Sequence, residues 1–284
     1  MVKTSSPKNP QPVLGFLGGG NMAEALIRGL SASREFSLQV SDKIKDRLGH
    51  LSSHYRVATT DDNLELVKSS QVIILAVKPP VVPAVLSEIK TVLRDKLLIS
   101  IAAGIPVNRL KSVLGKNARV IRVMPNNPAM VGAGVTAVYA DPSARREDLE
   151  LTAGIFRTVG LTAFIESEEL MNAVTGLSGS GPAFIYIVAE ALSDAGVKLG
   201  LSRPLSDLLS FRTILGAARM LEETHKHPAE LKNQVTSPGG TTIAGIEVLE
   251  ARGLRSVLIE AVAAAARRSQ ELETAGEKTV KIKS

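Results

Sequence analysis

Near its start the chain runs an apolar stretch, Val13–Leu17, straight into three consecutive glycines. Within "GFLGGGNMAEAL", Gly18, Gly20 and Ala23 stand in a G-x-G-x-x-A pattern, and a helix-like stretch follows at once. This feature constrains the fold more than any other. Gly18 permits the tight turn, Gly20 lets backbone approach a pyrophosphate, and a small residue at 23 lets the helix lie close on the strand. The N-terminus of that helix attracts phosphate charge. The pattern carries weight only between a strand and a helix with a second strand beyond, and that context is present.

The remainder of the first half keeps the same alternation. "VLGFL" (Val13–Leu17), "SLQVS" (Ser37–Ser41), "VIILAV" (Val72–Val77), "LLISIA" (Leu97–Ala102) and "RVIRVM" (Arg119–Met124) read as buried parallel strands. Helix-like segments lie between them, as in Ala23–Leu30, Val81–Leu93 and Val107–Leu114. "GVTAVYA" (Gly134–Ala140) and "LTAFIE" (Leu161–Glu166) read as two further strands around one helix. Such alternation predicts an α/β doubly wound sheet of the Rossmann type.

After Glu166 the strand signals stop. Pro182–Leu199, Pro204–Thr224 and Leu254–Leu272 carry apolar residues at helical spacing, with prolines near helix starts, where a missing N–H costs little. The second half is therefore expected to be all-α. Three segments follow: a flexible N-terminal tail over 1–12, a dinucleotide-binding domain over 13–166 and a helical domain over 167–284.

Composition narrows the chemistry. The chain has 284 residues, 44% of them apolar, enough for a substantial core in two domains. It has no cysteine, which excludes disulfides, thiol nucleophiles and cysteine metal sites. The net charge of +6 is spread along the chain, and with no tryptophan and few other aromatics it does not suit stacking on nucleic-acid bases. Attraction of small anions fits the charge equally well. The polar, proline-rich "MVKTSSPKNPQP" does not read as a signal peptide, and no apolar run approaches the roughly 20 residues of a membrane span. A cytoplasmic location is the expectation. The four histidines, His50, His54, His225 and His227, lie outside any H-E-x-x-H frame, so no metal site is expected. "GLSGSGPAF", around Ser178 and Ser180, does not follow a strand as a hydrolase nucleophile elbow would; it reads as a glycine-rich entry to the helix at Pro182.

Several residues at the carboxyl ends of the expected strands are candidates for ligand contact, because open α/β sheets bind there. Asp42, closing the second strand, stands where an acidic residue hydrogen-bonds the adenine ribose diol, which favours NAD. Lys43, Lys45 and Arg47 follow closely and suit a 2′-phosphate instead, so NADH and NADPH both stay open. Lys78, in "AVKPP", is a candidate contact to cofactor or substrate. In the helical half, "TSPGGTTIAG" (Thr236–Gly245) crowds hydroxyls and glycines at the start of an amphipathic stretch.

Five motifs, "GFLGGGNMAEAL", "ILAVKP", "RVMPNNPAMVGAG", "VTGLSGSGPAF" and "HPAELKNQVTSPGGTTIAGIEVLE", occur in order and span almost the whole chain. Together they resemble the pyrroline-5-carboxylate reductase family, and the last is that family's signature. The resemblance implies a Rossmann domain followed by a helical domain that intertwines with a second copy, giving a homodimer that some members assemble into a decamer. It implies hydride transfer from the nicotinamide of NADPH or NADH to the C=N carbon of 1-pyrroline-5-carboxylate, yielding L-proline, the last step of proline synthesis, with no metal.

The resemblance also gives roles to individual positions. Leu17, Gly18, Gly19, Gly20, Asn21 and Met22, then Asn63, the run Ala76, Val77, Lys78 and Pro79, and Ala102 with Ala103 match cofactor-contacting positions. Glu168 matches a substrate-side acidic position. The substrate carries a carboxylate, and a helix N-terminus with free N–H groups suits one. Gly239 and Gly240 would let the backbone close round that anion, with the Ser237 hydroxyl and the Thr241 and Thr242 N–H groups donating to it. The Thr242 hydroxyl would reach the ring nitrogen, which makes it the expected catalytic donor. Three features depart from the family's common pattern: Asn127 in place of threonine, Asn233–Gln234 in place of Asp-Asn, and Asp42 where serine or asparagine is frequent. The rivals are another two-domain NAD(P)-dependent imine reductase, a β-hydroxyacid dehydrogenase and a non-catalytic dinucleotide-binding regulator. The dehydrogenase would carry a lysine soon after "SGSGPAF", whereas none occurs before Lys198; the regulator would not need the Thr236–Glu250 run.

Overall fold

The computed structural model describes residues 11–33 and 35–281; the side chains of 275–281 fall outside that description, as does most of the tail expected over 1–12. The chain divides into two compact units. One holds the residues up to Gly179 together with those from Ala265 onward, and the other holds Ser180–Ala264.

In the first unit β1 (Val13–Leu17) turns into α1 (Asn21–Ser33), followed by β2 (Ser37–Ser41), α2 (Lys45–His54), β3 (Val57–Thr60) and α3 (Asn63–Ser69). Then come β4 (Val72–Leu75), α4 (Val82–Ile89), β5 (Leu97–Ser100), α5 (Val107–Leu114) and β6 (Arg119–Met124). β7 (Gly134–Ala140), α6 (Arg146–Arg157), β8 (Gly160–Phe164) and α7 (Leu170–Val174) complete its N-terminal part. The eight strands form one sheet in the order β3-β2-β1-β4-β5-β6-β7-β8. All neighbours are parallel except β6 and β7, which run antiparallel. The strand order reverses between β1 and β4, the switch point at which such sheets bind ligands.

Period-two alternation builds two cores from the same strands. Leu14, Phe16, Ile74 and Ile99 face one side with Leu26 and Leu30 of α1, while Leu17, Ile73, Leu75 and Leu98 face the other with Leu66, Leu86 and Leu110. Strands covered on both faces read as continuous apolar runs, which is why they were legible. β3 was not. Its four residues, "VATT", lie at the sheet edge with Ala58 and Thr59 exposed, so no apolar run marks it. β4 and β5 also stop two residues before their apolar runs end, which leaves Ala76–Val77 and Ile101–Ala102 in the loops at the carboxyl edge.

The second unit is helical: α8 (Gly181–Lys198), α9 (Arg203–Thr224), α10 (Pro228–Gln234), α11 (Thr241–Ala251) and the first part of α12 (Leu254–Lys281). Pro182, Pro204 and Pro228 sit in first turns. Its burial pattern is inverted for a chain on its own. Small hydroxyl residues, Ser193, Ser206 and Ser210, are buried, and Ser206 Oγ donates to the Ser193 carbonyl at 2.6 Å. Large apolar residues face outward, among them Ile187 (65% exposed), Leu199 (85%) and Phe211 (52%).

Candidate active site

The glycine turn is held by backbone bonds. Gly18, at φ +97°, donates its N–H to the Ser41 carbonyl at 2.8 Å, and Ala76 N–H donates to the Leu17 carbonyl at 2.8 Å. A Cβ at Gly18 would lie 2.9 Å from the Ala76 carbonyl oxygen and 3.0 Å from a Val77 methyl, so only glycine fits. The turn thus brings Gly18, Ala76 and Val77 together at the switch point. Gly20 is different: it is exposed, and nothing lies within 4 Å of where its Cβ would be. The first α1 bond runs from Glu24 N–H to the Gly20 carbonyl at 2.9 Å. The N–H groups of Asn21, Met22 and Ala23 therefore have no acceptor among the described residues. Three convergent donors, an open approach over Gly20 and the positive end of a 13-residue helix fit a pyrophosphate.

Asp42 lies beside this turn and is fixed. Its Oδ2 accepts Gly19 N–H at 2.7 Å, and its Oδ1 accepts Ile44 N–H at 2.9 Å. Lys43 turns away, donating Nζ to the Asp61 carbonyl at 2.7 Å. Arg47 folds back under the turn, where Nε donates to the Gly19 carbonyl and the guanidinium pairs with Glu24. Glu24 also meets His50 at 2.9 Å and Tyr55 at 3.0 Å. Burial alone would raise the Glu24 pKa, but the hydrogen bonds from His50, Arg47 and Tyr55 outweigh it and lower the value from 4.5 to about 2. His50 is thus part of this network, whereas the sequence marked it only as a histidine without a metal partner set.

Other expected cofactor residues vary in what they expose. The Leu17 side chain is fully buried in the core, so it places the turn and presents no side chain to a ligand. Asn63 is buried, accepting from Ser41 Oγ at 2.7 Å and donating to Glu88 at 2.8 Å. Lys78 is exposed at the start of a short 3-10 turn, Pro79–Val81. Ala102 is buried and Ala103 exposed in the loop after β5.

Glu168 joins a cluster that was not foreseen. Its Oε1 accepts Val107 N–H at 2.8 Å and the Arg122 guanidinium at 2.8 Å. Arg122, on β6 and only 3% exposed, also reaches Glu273 of α12 at 2.9 Å. Asn172 donates to the other Glu273 oxygen at 2.7 Å and accepts from Ser269 Oγ at 2.7 Å. This cluster ties the last part of α12 to β6 and α7, and Leu272 lies against Gly104 in the loop after β5. The signal in the sequence was an arginine in the middle of the apolar run "RVIRVM".

The start of α11 forms the second donor array. Gly239, at φ +66°, makes the turn, and Gly240 N–H donates to the Ser237 carbonyl at 3.1 Å. A Cβ at Gly240 would lie 2.3 Å from Ser237 Oγ, so a larger residue there would make the Ser237 hydroxyl turn away from its present position. The Ala244 N–H, 3.5 Å from the Gly240 carbonyl, makes the first helical bond, which leaves the N–H groups of Thr241, Thr242 and Ile243 without an acceptor among the described residues. The hydroxyls of Ser237, Thr241 and Thr242 make no hydrogen bond among those residues either. Thr236 is spent locally, donating its hydroxyl to the Lys232 carbonyl at 2.7 Å. Such an array suits a carboxylate.

A doubly wound sheet with a glycine turn at its switch point, followed by a helical unit whose α11 start presents unpaired N–H and hydroxyl groups, is the architecture of a two-unit dinucleotide-binding protein. Residues 168–272 match the family described as pyrroline-5-carboxylate reductase dimerisation, and residues 13–104 match that described as NADP oxidoreductase, coenzyme F420-dependent. The pyrroline-5-carboxylate reductase of Synechocystis is 45% identical over 91% of this chain and 97% of its own, and that of Arabidopsis thaliana 44% over 91% and 95%. A solved Coxiella burnetii pyrroline-5-carboxylate reductase superposes with a TM-score of 0.88 at 39% identity, covering 92% of this chain and 98% of its own. The Plasmodium falciparum enzyme, solved with NADP bound, gives 0.84 at 33% identity over 92% and 98%. The chain belongs to the pyrroline-5-carboxylate reductase family, NAD(P)-dependent oxidoreductases that act on an imine. Its helical unit lies within the residues that match the family's dimerisation model, which points to a homo-oligomer. Among the described residues no helix is long and apolar enough to cross a membrane.

Proposed function

We propose that this chain reduces 1-pyrroline-5-carboxylate to L-proline with NADPH or NADH. The observation that carries the proposal is the unpartnered array of N–H and hydroxyl groups from Ser237 to Thr242 at the start of α11. When bound, the dinucleotide supplies the hydride. The Asn21, Met22 and Ala23 N–H groups hold its pyrophosphate, and Asp42 accepts from the adenine ribose. Ser237 and the Thr241 and Thr242 N–H groups hold the substrate carboxylate. Helix-dipole attraction contributes only about 0.3–1 kcal/mol at an exposed site, so direct charge-assisted hydrogen bonds, about 1.5–3 kcal/mol each, dominate. Hydride addition at the C=N carbon gives the amine only with one proton on the ring nitrogen, taken up from solvent, and the Thr242 hydroxyl donates a hydrogen bond to that nitrogen, orienting the imine and assisting its protonation. Glu168 has Oε1 committed to Arg122 and Val107, so a substrate-side role falls to Oε2 alone.

The proposed division of labour is dinucleotide binding over 13–166, and substrate binding with dimerisation over 167–284, in a cytoplasmic homodimer. Outward-facing Ile187, Leu199 and Phe211 support the dimer, because a monomer rarely leaves so broad an apolar face in water. Light scattering reads whether dimers gather into decamers.

The test is Thr242→Ala. Its expected kcat/KM for pyrroline-5-carboxylate falls roughly 10²–10³-fold while the dinucleotide Kd stays the same, because one positioned donor is lost. An unchanged kcat/KM would remove Thr242 from the mechanism.

A further inference from the structure

Resting on the dinucleotide-binding role just proposed, we infer that this chain selects NADH over NADPH, with Asp42 as the determinant and Arg47 as a positioning residue that secures it. The choice turns on what lies beyond the carboxyl end of β2, where the adenosine 2′-position meets a doubly wound sheet. Asp42 stands there with both carboxylate oxygens engaged by backbone, Gly19 N–H at 2.7 Å and Ile44 N–H at 2.9 Å. Held at two points, the carboxylate does not swing aside to admit a second anion. It keeps lone pairs free for the two hydroxyls of an unphosphorylated ribose.

A 2′-phosphate needs cations in reach, and two of the three nearby are committed elsewhere. Lys43 Nζ is bound to the Asp61 carbonyl at 2.7 Å. Arg47 has its Nε on the Gly19 carbonyl and its terminal nitrogen on Glu24, which is held in turn by His50 and Tyr55. Releasing Arg47 toward a phosphate would break both contacts and free the turn that fixes Asp42. Lys45, the first residue of α2, is exposed, and its side chain makes no hydrogen bond among the described residues. One solvated lysine does not offset a fixed carboxylate beside a dianionic group, and repulsion at this range supports a preference of at least about tenfold.

Arg47 therefore serves both dinucleotides alike. Its contacts join α1, α2 and the glycine turn into one block, and Gly19 sits so close to α2 that a Cβ there would meet Leu51 at 2.9 Å. Losing Arg47 loosens the pyrophosphate site, not a phosphate-specific one.

The experiment is equilibrium binding of NADH and NADPH, each alone, to the full chain and to Asp42→Ser and Arg47→Gln, by calorimetry. The wild type is expected to bind NADH at least about tenfold more tightly than NADPH. Asp42→Ser is expected to close that gap by gaining NADPH affinity, and Arg47→Gln to weaken both dinucleotides by a similar factor. Equal or tighter NADPH binding by the wild type would overturn the inference. So would an Arg47→Gln loss confined to NADPH, which would make Arg47 a phosphate ligand. Binding of neither dinucleotide would overturn the oxidoreductase role itself, and this inference with it.

Discussion

Single residues in this chain are constrained for different physical reasons, and the buried Arg122 shows how much one can carry. The residue is 3% exposed, and its guanidinium meets two carboxylates, Glu168 and Glu273, from distant parts of the chain. Such a triad adds little net stability against an apolar replacement of all its members, but removing one partner leaves buried charge uncompensated. Arg122→Met is therefore expected to destabilise the protein by about 3–5 kcal/mol in urea unfolding, whereas Arg122→Met combined with Glu168→Gln and Glu273→Gln recovers part of that loss. A cost below about 1 kcal/mol for the single change would show that the cluster is solvated. Gly18 is constrained by space instead: at φ +97° the Ala76 carbonyl oxygen stands where a Cβ would go, whereas at Gly240 a Cβ would displace only the Ser237 hydroxyl. The glycines were legible in the sequence because motif spacing marks them. Arg122, Asn172 and Glu273 were not assembled, because nothing local in a sequence says that residues about 100–150 positions apart meet.

Elements add constraints that no residue shows by itself. α1 and α2 are joined beneath the glycine turn through Glu24, whose pKa lies near 2 against an ordinary 4.5. A carboxylate with a depressed folded-state pKa contributes stability that is fully present above the unfolded value and is lost as pH falls through the folded one. The Glu24 contribution is thus expected to be complete above about pH 5 and to fade between 4.5 and about 2. Converted at 1.36 kcal/mol per unit and discounted for partial exposure, it is on the order of 2 kcal/mol. Urea unfolding of wild type and Glu24→Gln should differ by about that much near neutrality and converge toward pH 2; a difference that did not change with pH would sink the assignment. Legibility among the elements followed apolar content. Strands covered on both faces were read from their apolar runs, and so was β8, which is exposed at one edge but carries Leu161, Ala163 and Phe164, while "VATT" of β3 at the other edge lacked the signal. The basic residues after β2 could not be apportioned from sequence, because the folding back of Arg47 onto Glu24 is a contact between elements.

At the scale of the whole molecule, the helical unit is built for company. Its helices bury serines against each other and turn Ile187, Leu199 and Phe211 outward, which is unfavourable in water unless another surface covers them. Helical spacing and prolines revealed the helices, but periodicity does not distinguish an apolar stripe facing its own core from one facing a second copy. The family signature supplied that distinction. Phe211→Asp is expected to abolish the dimer in light scattering and to lower thermal stability sharply, since the unit loses the surface that completes its core. A monodisperse dimer with unchanged stability would place the interface elsewhere.

The central claim is chemical: this fold carries a hydride from a nicotinamide to the imine carbon of pyrroline-5-carboxylate. The most direct measurement supplies the dinucleotide deuterated at the transferring position of the nicotinamide and follows the product by NMR. L-proline carrying one deuterium on the former C=N carbon is the expected result. Proline without that deuterium, or no proline from folded protein that binds the dinucleotide, would contradict it.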